Sequence, residues 1–312
     1  VTKSQSLVRS GLLLATAAAI CFSVKAILVK LAYREGADAT TLVALRMIFS
    51  LPFFYLALWM LDRKHSRVRL SRDDRFKILL LGLLGYYGAS FLDFMGLQTI
   101  SVGLNRVIMY LNPAVVLVIS VVLFSHRVSR GELGAMGLAY LGVVMVYLHD
   151  LSLEGDGLAV GTILTFMSTV SYAVYLVLAG RMVQRIGSLR LATYASTAAA
   201  GFCLAQAMAL SPQALVSQPL SVYGLSLLNA TLCTVIPVSL VMVAMHRVGP
   251  VLVAQSGAIG PVSTIFLGYW FLGEEISLLG LVGTATVILG IWMLARISAT
   301  PRAPVEVPPP LP

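Results

Sequence analysis

The chain has 312 residues, 58% of them apolar and only 11% charged, with a mean hydropathy of +0.91 and a net charge of +9. A soluble domain carries about 25% charged residues, so this composition excludes a single aqueous core and calls for lipid as solvent. The basic residues sit in short links between apolar runs and not on an aromatic-studded surface, which argues against a nucleic-acid partner.

A helix needs about 20 apolar residues to cross a bilayer. Runs of about that length are predicted at 11–32, 40–61, 77–97, 101–123, 131–148, 157–179, 190–210, 219–243, 250–272 and 276–296. The alternation of a barrel strand is missing, so these are helices. The first run follows Lys3 and Arg9, lacks a small-residue cleavage pattern and leads straight into further spans, so it is expected to stay in the protein. Breaks at Gly36, Ser125, Gly155, Ser211 and Gly273 are short and polar, as links between hairpinned helices should be. The one long link, SRVRLSRDDRFK, separates the second and third spans. From 297 the chain becomes proline-rich, ending RAPVEVPPPLP, and is expected to be a disordered tail.

Lys and Arg gather in alternate links: Lys3 and Arg9; the cluster from Arg63 to Lys77; Arg127 and Arg130; Arg181, Arg185 and Arg190; Arg247; Arg296 and Arg302. The opposite links hold Arg34 alone. The positive-inside rule therefore places both termini, including residues 1–10, in the cytoplasm.

A diverged copy of residues 101–145 returns at 249–293. At a constant offset of 148, Leu104, Pro113, Ser129, Leu133, Leu141, Gly142 and Met145 fall on Leu252, Pro261, Ser277, Leu281, Leu289, Gly290 and Met293. Five spans per half is an odd number, so the second copy enters the membrane upside down. The predicted fold is thus an all-α polytopic membrane protein, ten transmembrane helices as two inverted five-helix repeats, 11–148 and 157–296. Many secondary transporters build alternating access on that plan.

The segments CFSVKAILVKL and TTLVALRMIFSLPFF, and the Pro113 and Pro261 spans with a Gly-containing helix after each, resemble the drug/metabolite transporter superfamily and within it the ten-helix EamA-type exporters. Gly273, Glu274 and Glu275 match the family's Gly-Glu closure of the ninth span, whereas the first copy has Ser125, His126 and Arg127. The resemblance implies a bacterial inner-membrane carrier with cytoplasmic termini, exporting small metabolites. Its overall look is nearest the aromatic and neutral amino-acid exporters. Efflux of lipophilic cations is the alternative, and a non-transport membrane scaffold is a third reading.

Charges inside spans cost at least about 2.5–3.5 kcal/mol each, so Lys25, Lys30, Arg46, Asp93 and Arg106 need a partner, water or a purpose. By their positions all five lie in the outer half, and their counterparts at offset 148 are Ala173, Leu178, Tyr194, Val241 and Ala254. Such surplus positive charge suits a substrate carboxylate, with Asp93 meeting an ammonium group or balancing Arg106 or Arg46. Lys30 is expected to snorkel to the interface. Helical spacing adds Tyr86 and Ser90 to the face of Asp93, Tyr110 and Pro113 to that of Arg106, and groups Asn105 with Met109 and Asn112, and Ser171 with Tyr175. Tyr87 also lies deep, and Phe91, Met109 and Phe166 are candidates for the apolar lining. Any one of these is as well explained by packing. Pro113 and Pro261 each remove a backbone hydrogen bond in mid-span and are candidate gating positions, as Pro52 and Pro237 also could be.

Ala135, Gly142, Gly283 and Gly290 form small-residue stripes for close packing, within the monomer or between protomers, and a monomer or weak dimer is expected. Cys21, Cys203 and Cys233 sit in apolar segments with no paired spacing, so neither a disulfide framework nor a zinc site is implied. No G-x-x-x-x-G-K-[ST] loop occurs, and His65, His126, His149 and His246 are scattered in or beside loops. No cofactor, metal or enzymatic role is expected. The predicted partners are a small-molecule substrate and the lipid bilayer.

Overall fold

A computed structural model describes residues 3–63, 70–124, 128–153, 157–257 and 259–299. The expected breaks at Ser125 and Gly155 lie outside the described residues, as does the expected tail from residue 300, whereas residues 297–299 of that tail continue the last helix.

Every described element is helical, and the ten expected passes are present. We label them α1 (Lys3–Arg34), α2 (Ala39–Asp62), α3 (Arg72–Leu97), α4 (Val102–Tyr110 and Asn112–Phe124), α5 (Arg130–Leu153), α6 (Leu158–Ile186), α7 (Ser188–Leu210), α8 (from Leu220), α9 (to Leu272) and α10 (Leu278–Ala299). Among the described residues, eight helices are long and apolar enough to span a bilayer. The other two passes have specific reasons for falling short. α7 has 23 residues but interleaves Thr193, Ser196, Thr197 and Gln206 with its apolar residues. In α9 the helix from Ile259 to Leu272 is short because a break precedes it.

The helical run Ile236–Ser256 continues through the link predicted near Arg247, so no break in helix marks the α8–α9 boundary. Contacts with α1 locate the reversal. Ser221 hydrogen-bonds Glu35 (2.8 Å) and Arg247 bonds Ser10 (2.9 Å), so α8 descends antiparallel to α1. Then Ser23 reaches the Gly260 carbonyl (2.9 Å) and Arg34 the Leu272 carbonyl (2.6 Å), so α9 climbs parallel to α1. Residues 247 and 260 are thirteen apart, and so are their neighbours 10 and 23, which is the rise of one helix beside another. Four residues could not return the chain from Ser256 to the level of Gly260 had the run continued straight. The turn therefore lies close to Arg247, where the sequence expected it.

Several positions that recur at offset 148 now have physical reasons. Ser129 and Ser277 are N-caps: the Ser129 hydroxyl accepts from Glu132 N–H (3.2 Å), and that of Ser277 accepts from Gly280 N–H (2.9 Å). Pro113 and Pro261 follow interruptions at Leu111 and Gly257, within a turn of each proline. A further recurrence escaped the sequence: π-helical stretches at Gly82–Gly88 in α3 and Thr231–Val235 in α8. Gly142 meets Gly283 and Val287, while Gly290 meets Ala135 and Ala139, so the small-residue stripes join α5 to α10 within one chain. A Cβ on Gly142 would stand 2.5 Å from the Gly283 carbonyl, which is why the position holds glycine.

Burial is inverted relative to a soluble protein. Large side chains such as Leu13, Met60, Phe76, Val122 and Trp270 are exposed around the outside, while Ser23, Thr41, Ser50, Thr165, Ser168 and Thr193 are buried. That pattern fits a lipid exterior. Phe166 belongs to the exposed set, which corrects its expected place in a binding-site lining.

Candidate functional site

Helices α1, α2, α3 and α4 bring the predicted charges together. The Lys25 ammonium stands 2.6 Å from Asp93 Oδ2, with side-chain exposures of 14% and 1%. Asn105 Nδ2 donates to the other oxygen, Oδ1 (2.7 Å), and lies 3.4 Å from the Thr165 hydroxyl. Lys25 also lies 3.8 Å from the Met109 sulfur. Asp93 thus pairs with Lys25 and not with Arg106 or Arg46, the partners the sequence suggested. Arg46 and Arg106 also lie on other helices than Asp93, so the choice of Lys25 comes from how the helices are rotated against one another, which no residue spacing encodes.

Arg46 is 6% exposed and donates through Nη2 to the Ser90 hydroxyl, with its guanidinium 5.0 Å from the centre of the Phe94 ring. Arg106 crosses to α9, where a Cβ on Gly260 would stand 2.7 Å from its Nη2. The Nε atoms of Arg46 and Arg106 are both buried and have no hydrogen-bond partner among the described residues. Three cations therefore face one carboxylate in this part of the bundle. A buried donor left unpaired costs about 1–3 kcal/mol, so the arrangement favours arrival of an anion.

The remaining predicted residues divide. Tyr86 meets Tyr175 edge-on, ring centres 5.6 Å apart, and Tyr175 stacks on Tyr172. Ser171 donates to the Leu84 carbonyl (2.8 Å) inside the π-helical stretch of α3, so Ser171 and Tyr175 share the face turned to α3, as their spacing predicted. Asn112 approaches the Thr169 carbonyl (3.4 Å), joining α4 to α6. Tyr87 turns to α7, donating to Gln206 (3.1 Å) and stacking on Phe91. Tyr110 is half-buried against the cluster around Ile108 and Leu111.

At Pro261 the structure adds groups that sequence reasoning missed. The Gly260 carbonyl accepts from Ser23, Ser263 and Thr264, each at 2.9 Å. Three hydroxyls therefore converge on the α9 kink beside Arg106. Ser23 was visible as a polar residue in an apolar run, but no pattern in the sequence tied it to the pass of Pro261.

A model of the EamA-like transporter family matches residues 9–148 and again 159–296, once over each half. The chain belongs to that family. It is similar to the transporter YcbK of Bacillus subtilis (strain 168), 29% identical over 277 residues that cover 87% of this chain and 88% of the relative. Similarity also extends to the transporter YyaM of the same organism, 23% identical over 239 residues, 74% of this chain and 76% of that one. One crystal structure shares the fold at a TM-score of 0.64 and 17% identity, covering 94% of this chain and 99% of its own. Family membership and the apolar helices together make this a multi-pass membrane transporter handling small molecules in a bilayer.

Proposed function

We infer that the protein exports amino acids or closely similar small zwitterions across a bacterial inner membrane, with both termini in the cytoplasm. The observation that carries this reading is the pair of buried guanidiniums, Arg46 and Arg106, with unpartnered Nε atoms beside the Lys25–Asp93 pair. A carboxylate entering there takes charge-assisted bonds that no side chain supplies. Its ammonium group competes with Lys25 for Asp93, and Tyr86, Tyr110 and Tyr175 provide aromatic surface nearby. Lipophilic cations suit this interior poorly, because they need exposed carboxylates and Asp93 is already paired.

The mechanism we infer is alternating access by two inverted repeats, 11–148 and 157–296. The proline-interrupted passes α4 and α9 recur in both halves and supply a matched pair of flexible elements, with Pro113 and Pro261 as the gating positions. Asp93 and its partners occur in the first half only, so the repeat serves movement and its mismatches serve recognition.

Counterflow in proteoliposomes with each labelled proteinogenic amino acid tests the proposal. Saturable exchange of at least one is expected, and lost on combining Lys25→Ala with Arg46→Ala. Exchange of none would remove the amino-acid reading, and full activity of the double variant would move the site elsewhere.

A further inference from the structure

A cavity of about 150 Å³ opens where the first turn of α4 meets the end of α5 and the α9–α10 link. It lies at the Gly273 end of the bundle, the extracytoplasmic end in the orientation proposed above. Asp150, Glu274, Ser101 and Ser277 supply its polar lining. Space of that size with a polar lining accommodates several water molecules.

Asp150 was expected just beyond the fifth span, but α5 continues to Leu153 and carries it inside, where it is 4% exposed. Its Oδ2 is buried without a hydrogen-bond partner among the described residues, and Ser101, at the start of α4, lies close enough to favour the carboxylate's charge. Glu274, in the link outside the spans, accepts the Val102 N–H at 2.9 Å. Both carboxylates thus lie at the N-terminus of α4, where free N–H groups and the helix dipole favour negative charge, and Glu274 is bonded to it. Burial pushes the Glu274 carboxyl above the ordinary carboxylate range, offset in part by the Val102 N–H and by Lys30. The groups facing this pair are Lys30 of α1, near enough for its charge to act on both, His149 of α5, and the exposed Glu275 of the link. Arg34 of α1 is held at the Leu272 carbonyl.

We propose that the Asp150–Glu274 pocket is a proton-binding site distinct from the substrate site, and that its protonation is transmitted to that site along α4. The route is short. Ser101 caps α4 by accepting the Leu104 N–H (3.0 Å), and one turn later Asn105 bonds Asp93. A proton taken from water onto Glu274 weakens its hold on the Val102 N–H, and one taken onto Asp150 removes the negative charge beside Ser101. Displacement of that turn carries Asn105 and Arg106 with it. Protons entering from outside would then drive an exported substrate in exchange.

The proposal rests on the transport reading, and the test separates the two. In proteoliposomes, an inward acid gradient is expected to speed wild-type substrate efflux several-fold. Glu274→Gln and Asp150→Asn are expected to lose that acceleration while keeping gradient-free counterflow. Counterflow without any gradient effect in the wild type, or full acceleration in both variants, overturns the pocket and leaves transport standing. Absence of all counterflow overturns transport instead. Should a variant fail to fold, infrared titration of the wild type decides: a protonated-carboxyl band that responds to pH supports the site, and no such band overturns it.

Discussion

The Lys25–Asp93 pair allows a quantitative test, because its burial determines which of two energy scales applies. Asp93 is 1% exposed and Lys25 14%, so removing either partner leaves a nearly dry charge. Losing one member of a buried pair costs about 3–5 kcal/mol, whereas a solvated pair contributes about 0–1 kcal/mol. Asp93→Asn keeps the shape and strands the ammonium. Lys25→Met strands the carboxylate, which retains the Asn105 amide and feels the cationic surroundings, so its cost belongs at the low end, about 3 kcal/mol. The double variant strands neither charge and is expected to be at least about 2 kcal/mol more stable than the sum of the singles predicts. That coupling is more than tenfold in the folded-to-unfolded ratio. Unfolding in mixed micelles, followed by fluorescence of Trp59, Trp270 and Trp292, measures all four corners of the cycle. Additive single effects, with coupling under about 0.5 kcal/mol, would refute the claim that this pair is dry.

Other perturbations follow from the same geometry. Arg46→Gln and Arg106→Gln each remove a charge-assisted bond to the substrate, about 1.5–3 kcal/mol, so counterflow half-saturation should rise about tenfold to a hundredfold; Arg106→Lys should recover only part, since it lacks the planar fork. An unchanged half-saturation in both Gln variants contradicts the carboxylate site. Gly142→Ala should destabilise by about 1–3 kcal/mol because its methyl meets fixed backbone, while Gly134→Ala, with open space around it, should be neutral or slightly stabilising by thermal unfolding. Equal effects at the two positions would argue against the α5–α10 contact. The raised Glu274 carboxyl binds its proton more tightly folded than unfolded, so its contribution is present at acid pH and declines as pH rises through the raised value. Stability of Glu274→Gln should lack that decline, and a variant profile identical to wild type would remove the effect.

How legible the molecule is in its sequence depends on the range of the interaction. Local chemistry reads well: Gly36 and Gly273 do adopt left-handed backbone at the expected breaks, φ 86° and 73°, and Ser129 with Glu132 forms the capping box its spacing encodes. The offset of 148 located α4 and α9 because proline acts through its own backbone. Helix ends were harder. α3 starts at Arg72, since Ser71 and Asp74 cap a polar first turn that hydropathy ignores. α5 and α6 likewise outrun their apolar cores, and the extra turn of α5 turns Asp150 from a loop residue into a buried one. Partner choice was the least legible. Five ionisable residues within spans were visible at once, but which cation Asp93 meets depends on the relative rotation of α1 and α3, set by packing spread over the whole bundle. Ser23 and Gly260 are 237 positions apart and meet for the same reason.

The claim at the centre of this account is that Arg46 and Arg106 await a carboxylate. Competition against counterflow of a labelled amino acid, using the unlabelled compound, its amide and its decarboxylated amine, addresses it directly. The account predicts that the free amino acid competes at its own half-saturation and that the amide and the amine are at least about tenfold weaker. Equal competition by the decarboxylated amine would contradict it, because the unpartnered Nε–H groups of the two guanidiniums cannot favour a ligand that brings them no negative charge.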